Sequence, residues 1–370
     1  MTTTGRRIVS TLAADGSLTV EVASFELADP AGRQVLVRMD AAPINPSDLG
    51  ALFNAADVAA ARYEPGRLIA PMPEAAMRAL GARVGDPMPI GNEGAGTVIA
   101  AGGDPAAQAL LGKQVTGFPG AAFATHALSD AAAWMVLPDS VTPEQGAAAF
   151  VNPMTALGFV ETMRKEGFTG IVHTAAASNL GQMLVKICAE DSVPLVNVVR
   201  SPAQVELLRA IGADHVLDST APGFRKALAG ALADTGVRLG FDAIGGGTMA
   251  GTLLTAMEQA ASRGGAYSRY GSNERKKVYS YGVLDTGPTV LNRSFGFQFE
   301  FAGWLLMPML ARLGADTAER MRQRVLAGLT TTFASHYKAR VTLDRMLERD
   351  AVLDYNARRT GEKYLVLPNG

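Results

Sequence analysis

The chain has 370 residues, 48% of them hydrophobic and 19% charged, which is enough apolar material for two packed cores and too much for wholesale disorder. A formal net charge of −1 offers no electrostatic footprint for nucleic acid or an acidic membrane, so neither is expected as a partner. One cysteine, Cys188, excludes an internal disulfide and a cysteine-rich zinc site, and the first ten residues lack the apolar core of a signal peptide, so the expected location is the cytoplasm.

In chain order, residues 1–40 read as β structure, because 18–22 and 34–39 alternate apolar with polar. Pro43-Ile44-Asn45-Pro46-Ser47-Asp48 is a turn, with Ser47 expected to cap a helix reaching about residue 61. Residues 62–90 are rich in Pro and Gly and hold one helical stretch at 74–80. Gly91-Asn92-Glu93-Gly94-Ala95-Gly96 leads into a strand at 97–100, and 112–115 reads as a turn and a further strand.

Ile171-Val172-His173-Thr174 is a short apolar run with β-branched residues, hence a buried strand. Leu180, Met183, Leu184, Ile187 and Cys188 then recur on one helix face, and 195–199 is a second apolar strand. Strand, tight turn, helix and strand make the βαβ unit that binds a dinucleotide. The turn between them must let its backbone approach a pyrophosphate and aim a helix N-terminus at it. It would place Ala177, Ser178, Asn179, Leu180 and Gly181 against the cofactor. Of a glycine pattern at 175, 178 and 181 only Gly181 survives; Ala175 and Ser178 hold the other positions, and Asn179 tolerates positive φ better than most residues. Ser178 or Asn179 can cap the helix. Taken alone, the turn fits any α/β crossover equally well.

Arg200 follows the second strand, where an NAD-binding chain would hold a carboxylate for the ribose 2′-OH; an Arg suits a 2′-phosphate. Its alternative is a solvated strand end. Ser201-Pro202 opens the next helix, expected over 202–211 and closed by Gly212. A strand at 215–217, a helix at 224–232, a strand at 239–244, the Gly245-Gly246-Gly247 turn, a helix from about 248 and a strand near Tyr267 continue the alternation. That order means a mostly parallel sheet with ligand at the carboxyl ends of its strands. Residues 301–310 are the most apolar late stretch and too short to span a bilayer.

The stretches AAPINPSDL, GNEGAGTVIAAG, GKQVTG, LPDSVTPEQGAAA, VNPMTALGF, the βαβ unit, LLRAIGADHVLD, FDAIGGG and TGEKYLVLP come in one order. Together they resemble the zinc-independent branch of the medium-chain dehydrogenase/reductase superfamily, the quinone oxidoreductases and their enoyl-reductase relatives. The resemblance implies an α/β chain with a GroES-like β-rich catalytic domain at 1–152. A doubly wound Rossmann domain for NADPH would follow at 153–303, and a return segment at 304–370 would complete the catalytic domain. It also implies a homodimer paired through a late Rossmann strand, for which residues 278–301 supply an apolar edge.

The chemistry implied by the resemblance is hydride transfer to a quinone or an α,β-unsaturated carbonyl, where the developing oxyanion needs a donor. Asn45 matches the family asparagine near the nicotinamide ribose, its alternative being an Asx-turn residue. Thr155, with Asn152, resembles the nicotinamide-facing threonine segment; helix capping is the alternative. Gly245, Tyr270, Gly271 and Lys363 complete the implied cofactor contacts. Tyr63 is the nearest candidate for the proton donor of the enoyl-thioester reductases, against a surface tyrosine, and water can also protonate the product. No metal is expected: Asn92 stands where zinc-dependent relatives hold a His, and His126, His173, His215 and His336 do not cluster. His173 and His215 fall at strand positions and read as structural. Glu93 either takes part in catalysis or braces its glycine turn.

Two segments depart from the family pattern. The 52–89 stretch is long where relatives build a wall of the substrate cleft, and fits a lid. Arg275-Lys276-Lys277 fits a phosphate site for a CoA thioester or a solvated loop. Three functions stay open: an NADPH-dependent quinone or enone reductase; an enoyl-CoA or enoyl-ACP reductase, favoured by VNVVR and NEG; and a nucleotide-binding protein with little catalysis.

Overall fold

Alternating residues in the first forty positions fold as three long strands, Thr3–Leu12, Ser17–Leu27 and Gln34–Pro43, in a computed structural model that describes residues 3–291 and 293–370. Gly16 turns the first hairpin at φ 84, a left-handed backbone that suits glycine. The first two strands join Arg62–Glu64, Arg67–Pro71 and Met88–Pro89 in a five-stranded sheet. The third is the hub of a seven-stranded sheet, pairing antiparallel with Gly94–Ala101, His126–Asp130 and the late strand Tyr364–Val366. Ile8 and Leu18 from one sheet and Val37 and Met39 from the other lie in one core cluster.

The chain divides into two units, one running to Val151 and resuming at Arg324, the other spanning Asn152–Gln323. The return to the first unit therefore comes at 324, not 304. The reason is Trp304, whose ring meets Phe159 edge-on at 4.8 Å and whose indole N–H donates to Thr162 at 3.1 Å. Lys165 also donates to the Arg312 carbonyl, so the helix Leu306–Leu313 belongs with the second unit.

The second unit holds six parallel strands in the order His215–Asp218, Leu195–Val199, Ile171–His173, Leu239–Asp242, Lys276–Ser280, Phe299–Gly303. Numbered within the unit that is 3-2-1-4-5-6, the doubly wound dinucleotide-binding order, with its switch point between the first and fourth strands. The strand expected near Tyr267 is instead at Lys276–Ser280, and Tyr267 is exposed coil.

Locally, the first helix is shorter than the apolar pattern suggested. It spans Pro46–Phe53 and ends where Asn54 takes a left-handed φ of 53. Its N-cap is Asn45 rather than Ser47, because Pro46 occupies the first helical position and Asp48 accepts from the Asn45 amide.

Of the basic run, Arg275 is exposed coil, while Lys276 and Lys277 are buried in a strand and are not a solvated loop. Lys276 is fully buried in its strand and meets Glu258 at 2.6 Å, while Lys277 lies 2.9 Å from Glu166 and 3.0 Å from Glu300. Arg275 pairs with Glu300 at 2.7 Å. A buried ammonium without its carboxylate costs several kcal/mol. Glu258→Ala should therefore lower the unfolding free energy by about 3–5 kcal/mol in urea denaturation, whereas Arg263→Ala, which removes an exposed pair with Asp234, should change it by less than about 1 kcal/mol. Equal effects would show that the buried pair is not structural.

Candidate functional site

In the second unit the site is built at the carboxyl edge of the parallel sheet. The chain leaves Ile171–His173 and turns at Ala175, which takes the left-handed φ of 50 that the sequence pattern had suggested for Asn179. Asn179 is instead the first residue of the helix Asn179–Glu190. Ser178 is its N-cap, accepting from the Gly181 amide at 3.2 Å. Gly181 is kept for packing: a Cβ there would lie 2.0 Å from the Ala176 carbonyl oxygen, the helix–strand closeness that the last glycine of the dinucleotide turn provides. Ala177 and Leu180 are buried, and Gln182 holds the Ala177 carbonyl at 2.9 Å.

One strand over, Arg200 is exposed at the end of Leu195–Val199, its amide bonded to Gln204 Oε1 at 3.1 Å. Ser201 caps the following helix through the Gln204 amide. After Leu239–Asp242, the Asp242 carboxylate accepts from Thr174, Ile244 and Gly245, tying the two strands that flank the switch point. Gly245 sits at φ 81. The turn residues, Arg200, Ser201 and Gly245 thus share one sheet edge.

Tyr270 and Gly271 do not share it. They precede Lys276–Ser280 and pack at the end of the helix Met249–Ala261, where a Cβ on Gly271 would lie 3.0 Å from Glu258 Oε1. In a parallel sheet that is the amino edge, so neither residue is a cofactor contact. The pair at the carboxyl end of this strand is Tyr281-Gly282. Tyr281 hydrogen-bonds His173 Nε2 at 2.7 Å, and a Cβ on Gly282 would lie 2.6 Å from the Ala243 carbonyl. A second Tyr-Gly pair in the sequence was the available signal. His173 is fully buried, and burial lowers its pKa to about 3, so it stays neutral.

In the first unit a buried polar cluster forms around Asn45. Asn45, Asp48 and Glu93 are each at most 1% exposed, and Lys363 is 8% exposed. The Asn45 Nδ2 donates to Glu93 Oε1 at 2.8 Å, and Glu93 Oε2 accepts from the Phe150 and Val151 amides, both at 2.8 Å. Glu93 is therefore a brace, and it supplies the capping considered for Asn152 and Thr155. Those two lie within the helix Val151–Lys165, Thr155 buried and Asn152 partly so. Asp48 accepts from the Asn45 and Asn92 amides at 2.8 and 2.9 Å. Lys363 reaches the cluster through the sheet, since the Ile44 amide donates to the Tyr364 carbonyl at 3.0 Å.

Two atoms of this cluster are unpaired among the described residues: Asn45 Oδ1 and Lys363 Nζ. A buried acceptor and a buried donor without partners suit the hydroxyl or amide groups of a ligand. Burial lowers the Lys363 pKa against the opposing pull of Glu93 and Asp48, and burial raises Asp48 to about 7. The Tyr63 hydroxyl donates to the Val58 carbonyl at 2.8 Å, and burial raises its pKa.

No family model matches the chain. It is 26% identical over 299 residues to the mitochondrial enoyl-[acyl-carrier-protein] reductase of Arabidopsis thaliana, covering 74% of this chain and 66% of that one. The human mitochondrial enzyme of the same name is 28% identical over 219 residues, covering 55% and 50%. The chain thus spans half to two thirds of the length of these relatives. Among solved structures, a Mesorhizobium loti protein named as a candidate NADPH:quinone reductase superposes with a TM-score of 0.75 at 25% identity, covering 99% of this chain and 98% of that one. In sequence and fold the chain is similar to reductases of the medium-chain dehydrogenase/reductase superfamily. An enoyl thioester reductase of Candida tropicalis shares the superfamily fold with a TM-score of 0.68 at 19% identity, covering 99% of this chain and all of that one.

Among the described residues, no three His, Cys, Asp or Glu side chains converge as a metal site, and no helix is long and apolar enough to cross a membrane. The cluster makes a testable demand on pH. Asp48 titrates near 3.8 when unfolded and near 7 when folded, so its protonated form favours the folded state. That contribution is complete below about 3.8 and is lost as pH rises through about 7. Measured by urea denaturation, the stability of wild type should therefore fall relative to Asp48→Asn between about pH 4 and 7 and stay parallel above about 8. A gap that does not change with pH would place Asp48 in the ordinary carboxylate range.

Proposed function

We propose that this chain is an NADPH-dependent reductase that transfers hydride to a quinone or an α,β-unsaturated carbonyl compound. The observation that carries the reading is the carboxyl edge of the 3-2-1-4-5-6 sheet, where the Ser178-capped turn and Arg200 stand on adjacent strands. The residues fit the cofactor on two counts. Gly181 leaves the turn no room for a Cβ, and Asn45 and Lys363 keep a buried acceptor and a buried donor unpaired. When bound, NADPH supplies the hydride.

The chain's own residues do the rest. The Asn179–Glu190 helix directs its N-terminal amides and positive dipole end at phosphate. Arg200 meets the 2′-phosphate, with Ser201 beside it. Asn45, Asn152, Thr155 and Lys363 contact the nicotinamide half, and Lys363 offers N–H donors to a negative or hydroxyl oxygen. With Tyr63 bonded to Val58, water protonates the product. A second reading, an enoyl-thioester reductase, is supported by the names of the plant, human and yeast relatives. The exposed Phe297 and Phe299 beside the sheet's last strand suit a homodimer.

Following NADPH oxidation with a quinone, a small enone and an enoyl-CoA separates the readings. Turnover of the first two supports the proposal, a strong preference for the thioester supports the second reading, and no turnover of any overturns both. Arg200→Ala should weaken NADPH by roughly tenfold to a hundredfold, about 1.5–3 kcal/mol, and leave NADH nearly unchanged. Equal losses for the two cofactors in titrations would make Arg200 a solvated strand-end residue.

A further inference from the structure

We infer that Glu93 is a positioning residue that sets the hydrogen-bonding polarity of Asn45, so that its Oδ1 faces the cofactor as an acceptor. This rests on the reading of Asn45 as a cofactor contact and goes one step further. A primary amide presents either its carbonyl or its NH2 to a ligand, and a half-turn of the side chain exchanges them. In this chain the choice is forced. Glu93 Oε1 accepts from Asn45 Nδ2 at 2.8 Å, so the edge of Asn45 that faces Glu93 is its NH2 edge. The other edge is then Oδ1, which lies buried on the Asp48 amide side of the helix N-cap without a hydrogen bond of normal geometry. Glu93 cannot turn away, because its second oxygen holds the Phe150 and Val151 amides. The ligand group read by Asn45 must therefore be a donor, an O–H or N–H of the nicotinamide riboside.

The same geometry dictates the test. In Glu93→Gln the two backbone amides claim the new carbonyl oxygen, because an NH2 group cannot accept. The Gln amide nitrogen then faces Asn45, which must flip and present Nδ2 to the cofactor. The shape hardly changes, but the polarity reverses. Adding Asn45→Asp to Glu93→Gln restores an acceptor, since Asp accepts from the Gln amide with one oxygen and offers the other. Asn45→Asp alone sets two carboxylates against each other.

NADPH affinity is measured by fluorescence titration and folding by thermal unfolding. Glu93→Gln should bind NADPH about tenfold to a hundredfold more weakly, Asn45→Asp should also bind weakly, and the double variant should recover most of the loss. A purely structural role for Glu93 would give no such rescue. A double variant no better than Glu93→Gln overturns the inference. So does Glu93→Gln binding like wild type while Asn45→Ala binds weakly, a result that keeps Asn45 as a contact. Asn45→Ala binding NADPH like wild type removes the contact itself and the inference with it. In the unaltered protein without NADPH, the Asn45 side-chain amide protons should exchange slowly by NMR. Rapid exchange overturns the inference even if a variant fails to fold.

Discussion

A carboxylate removed from water must be met by hydrogen-bond donors, and Glu93 organises the first unit by that requirement. It is fully buried and takes three N–H donors, one from Asn45 and two from Phe150 and Val151. Three distant stretches therefore converge on one side chain. The flanking glycines let two neighbouring segments lie close against the motif. A Cβ on Gly91 would lie 2.4 Å from the Phe123 amide nitrogen, and one on Gly96 would lie 2.1 Å from the Arg38 carbonyl oxygen. The motif GNEGAG is thus a close-packing device around a buried hydrogen-bond acceptor, and the orientation of Asn45 follows from it.

The second unit solves a different problem, how to present backbone amides at a helix N-terminus without a glycine-rich loop. Ala175 takes the left-handed conformation that glycine would adopt freely, at a cost of roughly 1–2 kcal/mol. The Ser178 amide bonds the Ala175 carbonyl and the Ala176 amide bonds Val198, which hold the strained residue in place. Local strain at the head of the dinucleotide turn is a feature of sites that must be pre-organised. Asp242 stiffens the opposite strand by accepting from three donors around the switch point.

Charge in the second unit is spent on architecture. Lys276 and Lys277 occupy successive positions of one strand and so point to opposite faces of the sheet. Each meets a carboxylate there: Lys276 finds Glu258, and Lys277 finds Glu166, which also bonds Tyr279. Two buried cations on alternate faces fix the strand's register, because a slip of one residue would leave both unpaired.

Much of this was legible in the sequence, for reasons that are local. Period-two and period-3.6 patterns depend on near neighbours, so the strands at the N-terminus, the Ile171–His173 to Leu195–Val199 crossover and the helix caps at Ser178 and Ser201 follow from composition and spacing. Arg200 at a strand end was legible for the same reason. What tertiary structure alone decided is which remote residues share a site. Two Tyr-Gly pairs look alike in sequence, and only the direction of Lys276–Ser280 sends Tyr281 to the carboxyl edge and Tyr270 to the other. A run of three cations reads as solvated until its carboxylates arrive from residues 166, 258 and 300. Lys363 stands more than three hundred positions from Asn45, and antiparallel pairing of Tyr364–Val366 with Gln34–Pro43 brings it there. Long-range pairing is set by sheet register and burial summed over the whole core, which no short window of sequence contains.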